Sequence, residues 1–227
     1  MEKLDSALQN AKMLQTTCNR HAASGDTDGI SADQIQLLAG QIANASSKDT
    51  QQKRSIEVVS TLTARQNEMV DKGDKLIQKV KEAAKGKYGE EDKARMREFH
   101  VGRDVPRSVK GLVSELKYTR EVALANKSDL AQHGLKETQI EMLGTTADEL
   151  STIDAEQETA KKKQKAATND RDNAMEALRK AMRKIQHSAR SIFADEPSVL
   201  IEFESIARGR GPGGQNSTPP PPEQPTQ

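Results

Sequence analysis

The chain has 227 residues, of which 33% are hydrophobic and 30% are charged, and its formal net charge is +1. This composition leaves few apolar side chains for a thick globular core, and the absence of Trp, with two Tyr and three Phe, leaves few rings to line a binding pocket. The low net charge gives no overall attraction to nucleic acid or anionic lipid, and no apolar run approaches the ~20 residues of a membrane span.

The first predicted element is a helix from Glu2 to about Ser24. Cys18, the only cysteine, cannot form an intramolecular disulfide, and we interpret it as a small core residue. The first five residues lack the basic and apolar regions of a secretory signal, so we expect a cytoplasmic protein. The apolar side chains of this helix recur at helical spacing, at Leu4, Leu8, Ala11, Leu14 and Cys18.

A polar turn over residues 24–29 follows. Its segment Asp26-Thr27-Asp28-Gly29 looks like part of a calcium loop, but an EF-hand needs a glutamate six residues after its glycine, and Ile35 stands there. We therefore interpret the segment as a solvated turn.

The second predicted helix is very long. Ser31 and Gln34 form a capping box at its start, and a heptad seam of mostly apolar residues runs from Ile35 to Ala84 without a slip. If it continues to Lys87, the helix is about 85 Å long at ~1.5 Å per residue. Residues 46–50 are its weak point, because their Ser, Asp and Thr side chains compete for backbone hydrogen bonds, and a break or kink there is the alternative.

A connector with a short helix around Asp92 to Phe99 follows the long helix. We predict that Asp104 caps the third helix, that Pro106 lies in its first turn, and that this helix ends at about Ala131.

A fourth helix, again long, follows Gly134, and its heptad seam runs from Ile140 to Ile192. Asp195 is predicted to cap a last short helix from Pro197 to about Ile206. Residues 208–227 are rich in Gly and Pro, and we expect them to be disordered or polyproline-like. Docking of Pro219–Pro222 in an aromatic groove is the alternative to a plain tail.

The chain repeats itself about a hundred positions apart, and this predicts an internal duplication with helical hairpin repeats at 1–105 and 106–207 and a tail at 208–227. The acidic start of the fourth helix and the basic ends of both long helices favour an antiparallel pairing. We therefore predict an all-α, internally duplicated, elongated antiparallel helical bundle with two long and two shorter helices and a pseudo-two-fold axis; a compact four-helix bundle is the alternative. The matching segments are Ile30–Ala39 with Leu135–Gly144, Asp49 and Gln52 with Asp154 and Gln157, Tyr88–Glu91 with Phe193–Glu196, and Glu98-Phe99 with Glu202-Phe203.

The doubled aromatic and acidic turns, Tyr88–Glu91 and Phe193–Glu196, each lead to a Glu-Phe pair. This layout resembles a loose group of duplicated all-helical bacterial proteins of unknown function. The resemblance implies a bacterial helical hairpin repeat, and it implies no activity, ligand or site. Physically, we interpret each turn as a cap, in which the ring covers the end of the seam and the carboxylate starts the next helix.

Polar residues interrupt both seams, at Asp49 and Gln52 and at Asp154 and Gln157. They could form a register-fixing layer or a ligand or metal site, but we favour the interpretation that these positions face solvent. A di-metal bundle needs Glu-x-x-His pairs, and none of the four histidines follows a Glu by three residues. The histidines, His21, His100, His133 and His187, are scattered, and we predict no catalytic, cofactor-binding or metal-binding residue and no enzyme.

A basic amphipathic stretch, Arg179–Arg190, could contact phosphates or an anionic membrane surface. We favour a core-facing helix with a solvated basic back, because no aromatic side chains interleave for base stacking. The sequence thus predicts a non-enzymatic structural or interaction scaffold that binds another protein or its own copies. The alternative is nucleic-acid or anionic-surface association through the basic C-terminal halves of the long helices.

Overall fold

The computed structural model describes residues 4–23, 28–89 and 92–207, and over these ranges the protein is all-α. The all-α prediction is confirmed. The predicted tail at 208–227, most of the polar turn at 24–29 and the acidic pair at 90–91 lie outside the described residues. The helices are α1 (Leu4–Arg20), α2 (Ala32–Tyr88), α3 (Lys93–Glu98), α4 (Val109–Ala125), α5 (Lys127–Ala131), α6 (Glu137–Ile192) and α7 (Pro197–Ala207).

The two long helices are continuous: α2 has 57 residues and α6 has 56. The break considered at residues 46–50 does not occur, and the Thr50 hydroxyl in this segment is satisfied within the helix. Thr50 Oγ1 donates to the carbonyl of Ser46, four residues earlier, at 3.0 Å. Ser151 does the same with the carbonyl of Ala147 in α6, at 2.9 Å.

The predicted capping box at α2 is half formed. The backbone N–H of Gln34 donates to Ser31 Oγ at 3.4 Å, whereas the Gln34 side-chain amide donates to Ser188 Oγ at 2.8 Å instead of returning to the cap. At the start of α6 the other half is present, since Lys136 N–H donates to Gln139 Oε1 at 3.0 Å. Each long helix therefore begins with one of the two bonds of a capping box.

The third predicted helix is corrected at both ends. Ser108, not Asp104, caps α4 by accepting the N–H of Gly111 at 3.2 Å, and Pro106 lies in the preceding loop. The helix stops at Ala125 and does not reach Ala131. Asn126 donates its side-chain amide to the Val122 carbonyl at 2.9 Å, and the short α5 follows as a separate turn.

The last helix, α7, begins where predicted, but its cap is one residue later than expected. The Glu196 carbonyl accepts the N–H of Leu200 at 3.1 Å, so Glu196 and not Asp195 occupies the capping position. The short helix predicted near Asp92 forms as α3, with Asp92 accepting the N–H of Arg95 at 3.0 Å.

The chain divides into two compact units. Unit 1 contains α1, α2 up to Gln52, α6 from Ala167 and α7, and unit 2 is Lys53–Ala166. The predicted repeats, 1–105 and 106–207, do not coincide with these units, and they stay a prediction.

In unit 1, the parts of α2 and α6 run antiparallel. Gln34 contacts Ser188, and further along α2 Lys48 Nζ lies 3.0 Å from Asp170 Oδ2. Most of the buried core residues come from α1 and these two helices, among them Ala11, Leu14, Cys18, Leu38, Leu178 and Ile185.

In unit 2, α4 packs against both long helices. A Cβ built on Gly73 of α2 would lie 3.2 Å from Leu116 Cδ1, and one built on Gly144 of α6 would lie 2.9 Å from Arg120 Cδ. We call the parts of α2 and α6 beneath α4, residues 69–84 and 140–150, the covered stretch. Its core with α4 includes Ile77, Val80, Leu112, Leu116, Ile140 and Leu143.

Candidate interaction groove

An open groove of about 1340 Å³ lies between α2 and α6 in unit 2, outside the covered stretch. We call the helix segments that form it, residues 54–66 and 151–163, the open stretch. On each helix the lining residues recur every three or four positions, so they share one face. The α2 side is lined by Arg54, Ser55, Glu57, Val58, Thr61 and Leu62, and the α6 side by Ser151, Thr152, Ala155, Glu156, Thr159, Ala160 and Lys163.

The surface of the groove is more apolar than its serines and threonines suggest. Hydroxyls on both sides donate to carbonyls of their own helix: Thr61 to Glu57, Ser151 to Ala147, Thr152 to Asp148 and Thr159 to Ala155, all between 2.9 and 3.0 Å. With their hydroxyl protons used in this way, these side chains offer mainly carbon to the groove. Val58, 53% exposed, adds an apolar group at the α2 edge.

Charged residues stand at the rim of the groove, Arg54 and Glu57 on α2 and Glu156 and Lys163 on α6. None of the four forms an ion pair with another residue in the described ranges. Both signs are therefore available to groups outside unit 2.

Beneath the groove, the seam between the two helices is polar and hydrogen-bonded. Gln157 Nε2 donates to Thr63 Oγ1 at 2.9 Å, and Gln66 Nε2 donates to Asp154 Oδ1 at 3.0 Å. As α2 advances from Thr63 to Gln66, the partner on α6 retreats from Gln157 to Asp154, so the helices are antiparallel here as well.

Our interpretation that the polar seam positions face solvent is wrong. Asp49, Gln52 and Gln157 are buried and Asp154 is half-buried. The cross-helix bonds explain this burial in unit 2, because an amide can leave water when another side chain satisfies it. Within the described residues no group of three or more His, Cys, Asp or Glu side chains could hold a metal ion.

The groove lies in line with α4, on the same faces of α2 and α6 that α4 contacts further along. Leu62 lies about eleven residues, close to three helical turns, before Gly73, and Ala155 lies about eleven residues after Gly144, so each faces the same side as the glycine that contacts α4. Because α2 and α6 are antiparallel, both displacements point the same way. The groove is thus the extension of the α4 site beyond the first residue of α4, Val109.

The basic end of α2 is neutralised in part by contacts with its neighbours. On α2, Lys85 pairs with Glu82 at 2.6 Å, Lys87 with Asp129 at 3.3 Å, and the buried Lys81 donates to the Arg103 carbonyl at 2.7 Å.

On α6, four exposed cations, Arg179, Lys180, Arg183 and Lys184, form no ion pair among the described residues. The other face of this segment is in the core, with Leu178 and Ile185 buried. The predicted core-facing helix with a solvated basic back is therefore present.

The two aromatic turns form ring pairs. Tyr88 stacks on Phe99 and Phe193 stacks on Phe203, each with ring centroids 5.8 Å apart. Tyr88 Oη lies 3.2 Å from Asn126 Oδ1 and 3.3 Å from Asp129 Oδ2. Burial, and next the Asp129 carboxylate, raise the pKa of Tyr88. These contacts support the interpretation of each turn as a structural cap.

The remaining residues singled out in the sequence are not brought together. His21 packs on the Phe193 and Phe203 rings in unit 1, and His100 pairs with Glu115 in unit 2, with Nδ1 2.9 Å from Oε1. Burial raises the pKa of the Cys18 thiol to about 11, so this thiol stays protonated at neutral pH.

The groove lies outside the heptad positions, because a heptad pattern marks only the seam between two helices. The available signal was Val58 and Leu62, two apolar residues outside the seam, and the small residues Ser151, Ala155 and Thr159 at helical spacing on α6.

No helix in the described part of the chain is both long and apolar enough to cross a membrane. Comparisons with protein-family models, with curated proteins and with solved structures found no match to this chain.

Proposed function

We propose that this chain is a non-enzymatic helical scaffold that binds another protein or its own copies. The observation that carries the proposal is the open groove of unit 2, where Val58 is exposed and the neighbouring hydroxyls donate to their own helices. A small polar ligand needs free donors and acceptors that converge on it, whereas a surface that packs against another protein needs exposed carbon with a polar rim. A cytoplasmic location, which rests on the sequence alone, is part of this proposal.

An internal duplication of helical hairpins is also part of the proposal. Its support is that α1 and α4 bury residues at the same spacing, Ala7, Ala11, Leu14, Thr17 and Cys18 on α1 and Leu112, Leu116, Thr119, Val122 and Ala123 on α4. The paired rings of Tyr88 with Phe99 and of Phe193 with Phe203 follow the same repeat. A duplicated helical body with a pseudo-two-fold axis would present extended helical surface, which suits a scaffold.

Crosslinking mass spectrometry in the native cell, followed by reconstitution with the purified partner, tests the scaffold function. We expect reproducible crosslinks from lysines of this chain to one protein or to a second copy, and a stable complex on mixing. Sedimentation velocity of the purified chain separates the two kinds of partner. A chain that stays monomeric and crosslinks to nothing reproducibly would contradict the scaffold function.

A second candidate function is association with nucleic acid or an anionic surface through α6. The observation that favours it is the exposed group Arg179, Lys180, Arg183 and Lys184, which form no ion pair among the described residues. Unneutralised cations on one helix face gain from contact with phosphates, and this gain falls as salt rises.

Binding to a duplex DNA and to vesicles with anionic headgroups, each measured over a salt series, tests this candidate. The double variant Arg183→Glu with Lys184→Glu should abolish salt-sensitive binding. The matched variant Lys75→Glu with Lys79→Glu, which changes the basic part of α2, should retain most of it. Equal binding by both variants would reject a role for the α6 cations.

A further inference from the structure

We propose that the groove of unit 2 binds one amphipathic α-helix of a partner protein, laid parallel to α4 and in line with it. This inference rests on the proposed scaffold function and names its partner chemistry. The groove is the same channel between α2 and α6 that α4 fills, continued beyond Val109. The antiparallel pairing of α2 and α6 also continues beneath the groove, through the Gln66–Asp154 and Gln157–Thr63 hydrogen bonds.

The contacts of α4 define what the second helix must look like. α4 buries Leu112, Leu116, Thr119 and Ala123, an i, i+4, i+7, i+11 pattern, against the covered stretch. Such a stripe is the usual anchor of a helix bound in a groove. The groove is lined by valine, leucine, alanine and backbone-bonded hydroxyls, so the partner stripe should be apolar and of medium size.

The charged residues at the rim favour one N-to-C direction for the docked helix. Because α2 and α6 are antiparallel, Arg54, Glu57 and Lys163 lie toward the end of the groove far from α4, and Glu156 lies nearer to α4. The far end therefore has a net charge of one positive unit and the near end a negative one. A helix favours acidic residues in its first turn and basic residues in its last turn. A partner with its N-terminal turn at Arg54 and Lys163 and its C-terminal turn near Glu156 satisfies both preferences.

This direction also aligns the two helix dipoles head to tail. The C-terminal carbonyls of the docked helix would face the first turn of α4, whose N–H groups have, among the described residues, only Ser108 as a side-chain cap. A docked helix of opposite direction would bring two N-termini together and would place its acidic turn against Glu156.

Selection from a displayed helix library tests the proposal with a defined probe. The library consists of 18-residue helices with apolar residues at i, i+4, i+7 and i+11 and free variation elsewhere, and the bait is the full chain. We expect binders with Asp or Glu in the first turn and Lys or Arg in the last. The synthetic peptides are then titrated by fluorescence anisotropy.

Val58→Lys should weaken peptide binding at least tenfold, because it places a charge on the apolar edge of the groove. Ser60→Lys is the matched control: it adds the same side chain two residues away, on the opposite face of α2, and should change binding less than about twofold. Both positions are exposed, and urea midpoints equal to that of the parent chain would show that both variants are folded. Selection against the Lys163→Glu variant should give binders with Lys or Arg, in place of Asp or Glu, in the first turn.

Failure to select helices, or equal losses for Val58→Lys and Ser60→Lys, would overturn the groove proposal. A homodimer that Val58→Lys dissociates would also overturn it, because the occupant would then be a second copy of this chain. In either case, reproducible crosslinks to a partner elsewhere on the surface would leave the scaffold function standing. Absence of both binders and crosslinks would remove the scaffold function as well.

Discussion

The covered and open stretches of unit 2 are formed by the same two helices, α2 and α6, but α4 packs over only one of them. In the covered stretch, α4 completes a three-helix layer, and Ile77, Val80 and Leu143 are buried between helices. In the open stretch, where α4 is absent, the seam contains Gln66 and Gln157, bonded across the helix pair, and Ile56 and Val58 are exposed.

The difference relates the types of residue in the seam to the number of helices that pack around it. Two helices alone enclose a narrower buried seam than three do, so fewer apolar side chains can pack there, and an amide in that seam can be buried when a partner across the helix pair satisfies it. Paired polar groups in a seam also favour one register, since a shift along the helix would leave a buried amide without its partner. The open stretch therefore fixes the register of α2 against α6 and leaves one face of the helix pair uncovered. The covered stretch contributes stability through its apolar core.

The largest effect should come from removing a core side chain of the covered stretch. Leu116→Ala deletes a fully buried side chain that lies against Gly73, and such changes cost about 2–5 kcal/mol. Leu124→Ala, on the same helix at a position 40% exposed, is the matched control and should cost far less. Urea unfolding followed by circular dichroism measures both. Equal, small losses would mean that α4 does not form the core of this stretch.

A smaller effect is expected from the polar seam of the open stretch. Gln157→Ala and Thr63→Val each remove one partner of the 2.9 Å hydrogen bond, and a double-mutant cycle should give a coupling of about 0.5–1.5 kcal/mol. Thr145→Val, at an exposed hydroxyl that donates to the Met142 carbonyl within α6, should show no coupling to Gln157→Ala. A coupling of zero between Thr63 and Gln157 would remove the register argument.

Two glycines beneath α4 should respond differently to alanine. Gly144→Ala meets the exposed Arg120 side chain, which can move aside, so the gain in helix propensity, up to about 1 kcal/mol, should be kept. Gly73→Ala meets methyl groups of the buried Leu112 and Leu116, at 3.4 and 3.2 Å, and crowding should offset that gain. Unfolding midpoints of the two variants give the comparison. A larger gain at Gly73 would mean that the covered core is loosely packed.

Much of the fold could be predicted because periodicity reports directly on helices. The seams of α2 and α6, the start of α6 after Gly134 and the short helix after Asp92 all followed from spacing and capping residues. The errors at the ends of α4 have a local cause. Asp104 and Ser108 are both good caps, and only the path of the loop decides between them. At the break, the side-chain amide of Asn126 bonds to the Val122 carbonyl, which helical spacing alone does not predict.

The burial of the polar seam and the groove could not be predicted in the same way. The heptad places Asp154 and Gln157 in the seam, but their polarity favoured a solvent-facing interpretation, and the side chains that satisfy them, Gln66 and Thr63, are about ninety residues away. The groove exists because α4 begins at Val109 and covers only part of the channel. The first feature depends on a distant hydrogen-bond partner and the second on where a distant helix begins, and no local pattern reports either.

The smallest expected effect is a dependence of stability on pH that arises from Tyr88, which stacks on Phe99. Burial and the Asp129 carboxylate raise the pKa of Tyr88, so the folded state holds this proton more tightly than the unfolded state. The stabilisation is present below the ordinary tyrosine pKa of about 10 and is lost as pH rises through the folded value. In a Tyr118→Phe background, where Tyr88 is the sole tyrosine, absorbance titration at alkaline pH should report this raised pKa. Asp129→Asn removes the charge and should bring the midpoint partly back, because burial, the larger cause, remains. An unchanged midpoint in Asp129→Asn would show that the carboxylate does not contribute to the raised pKa of Tyr88, at the C-terminal end of α2.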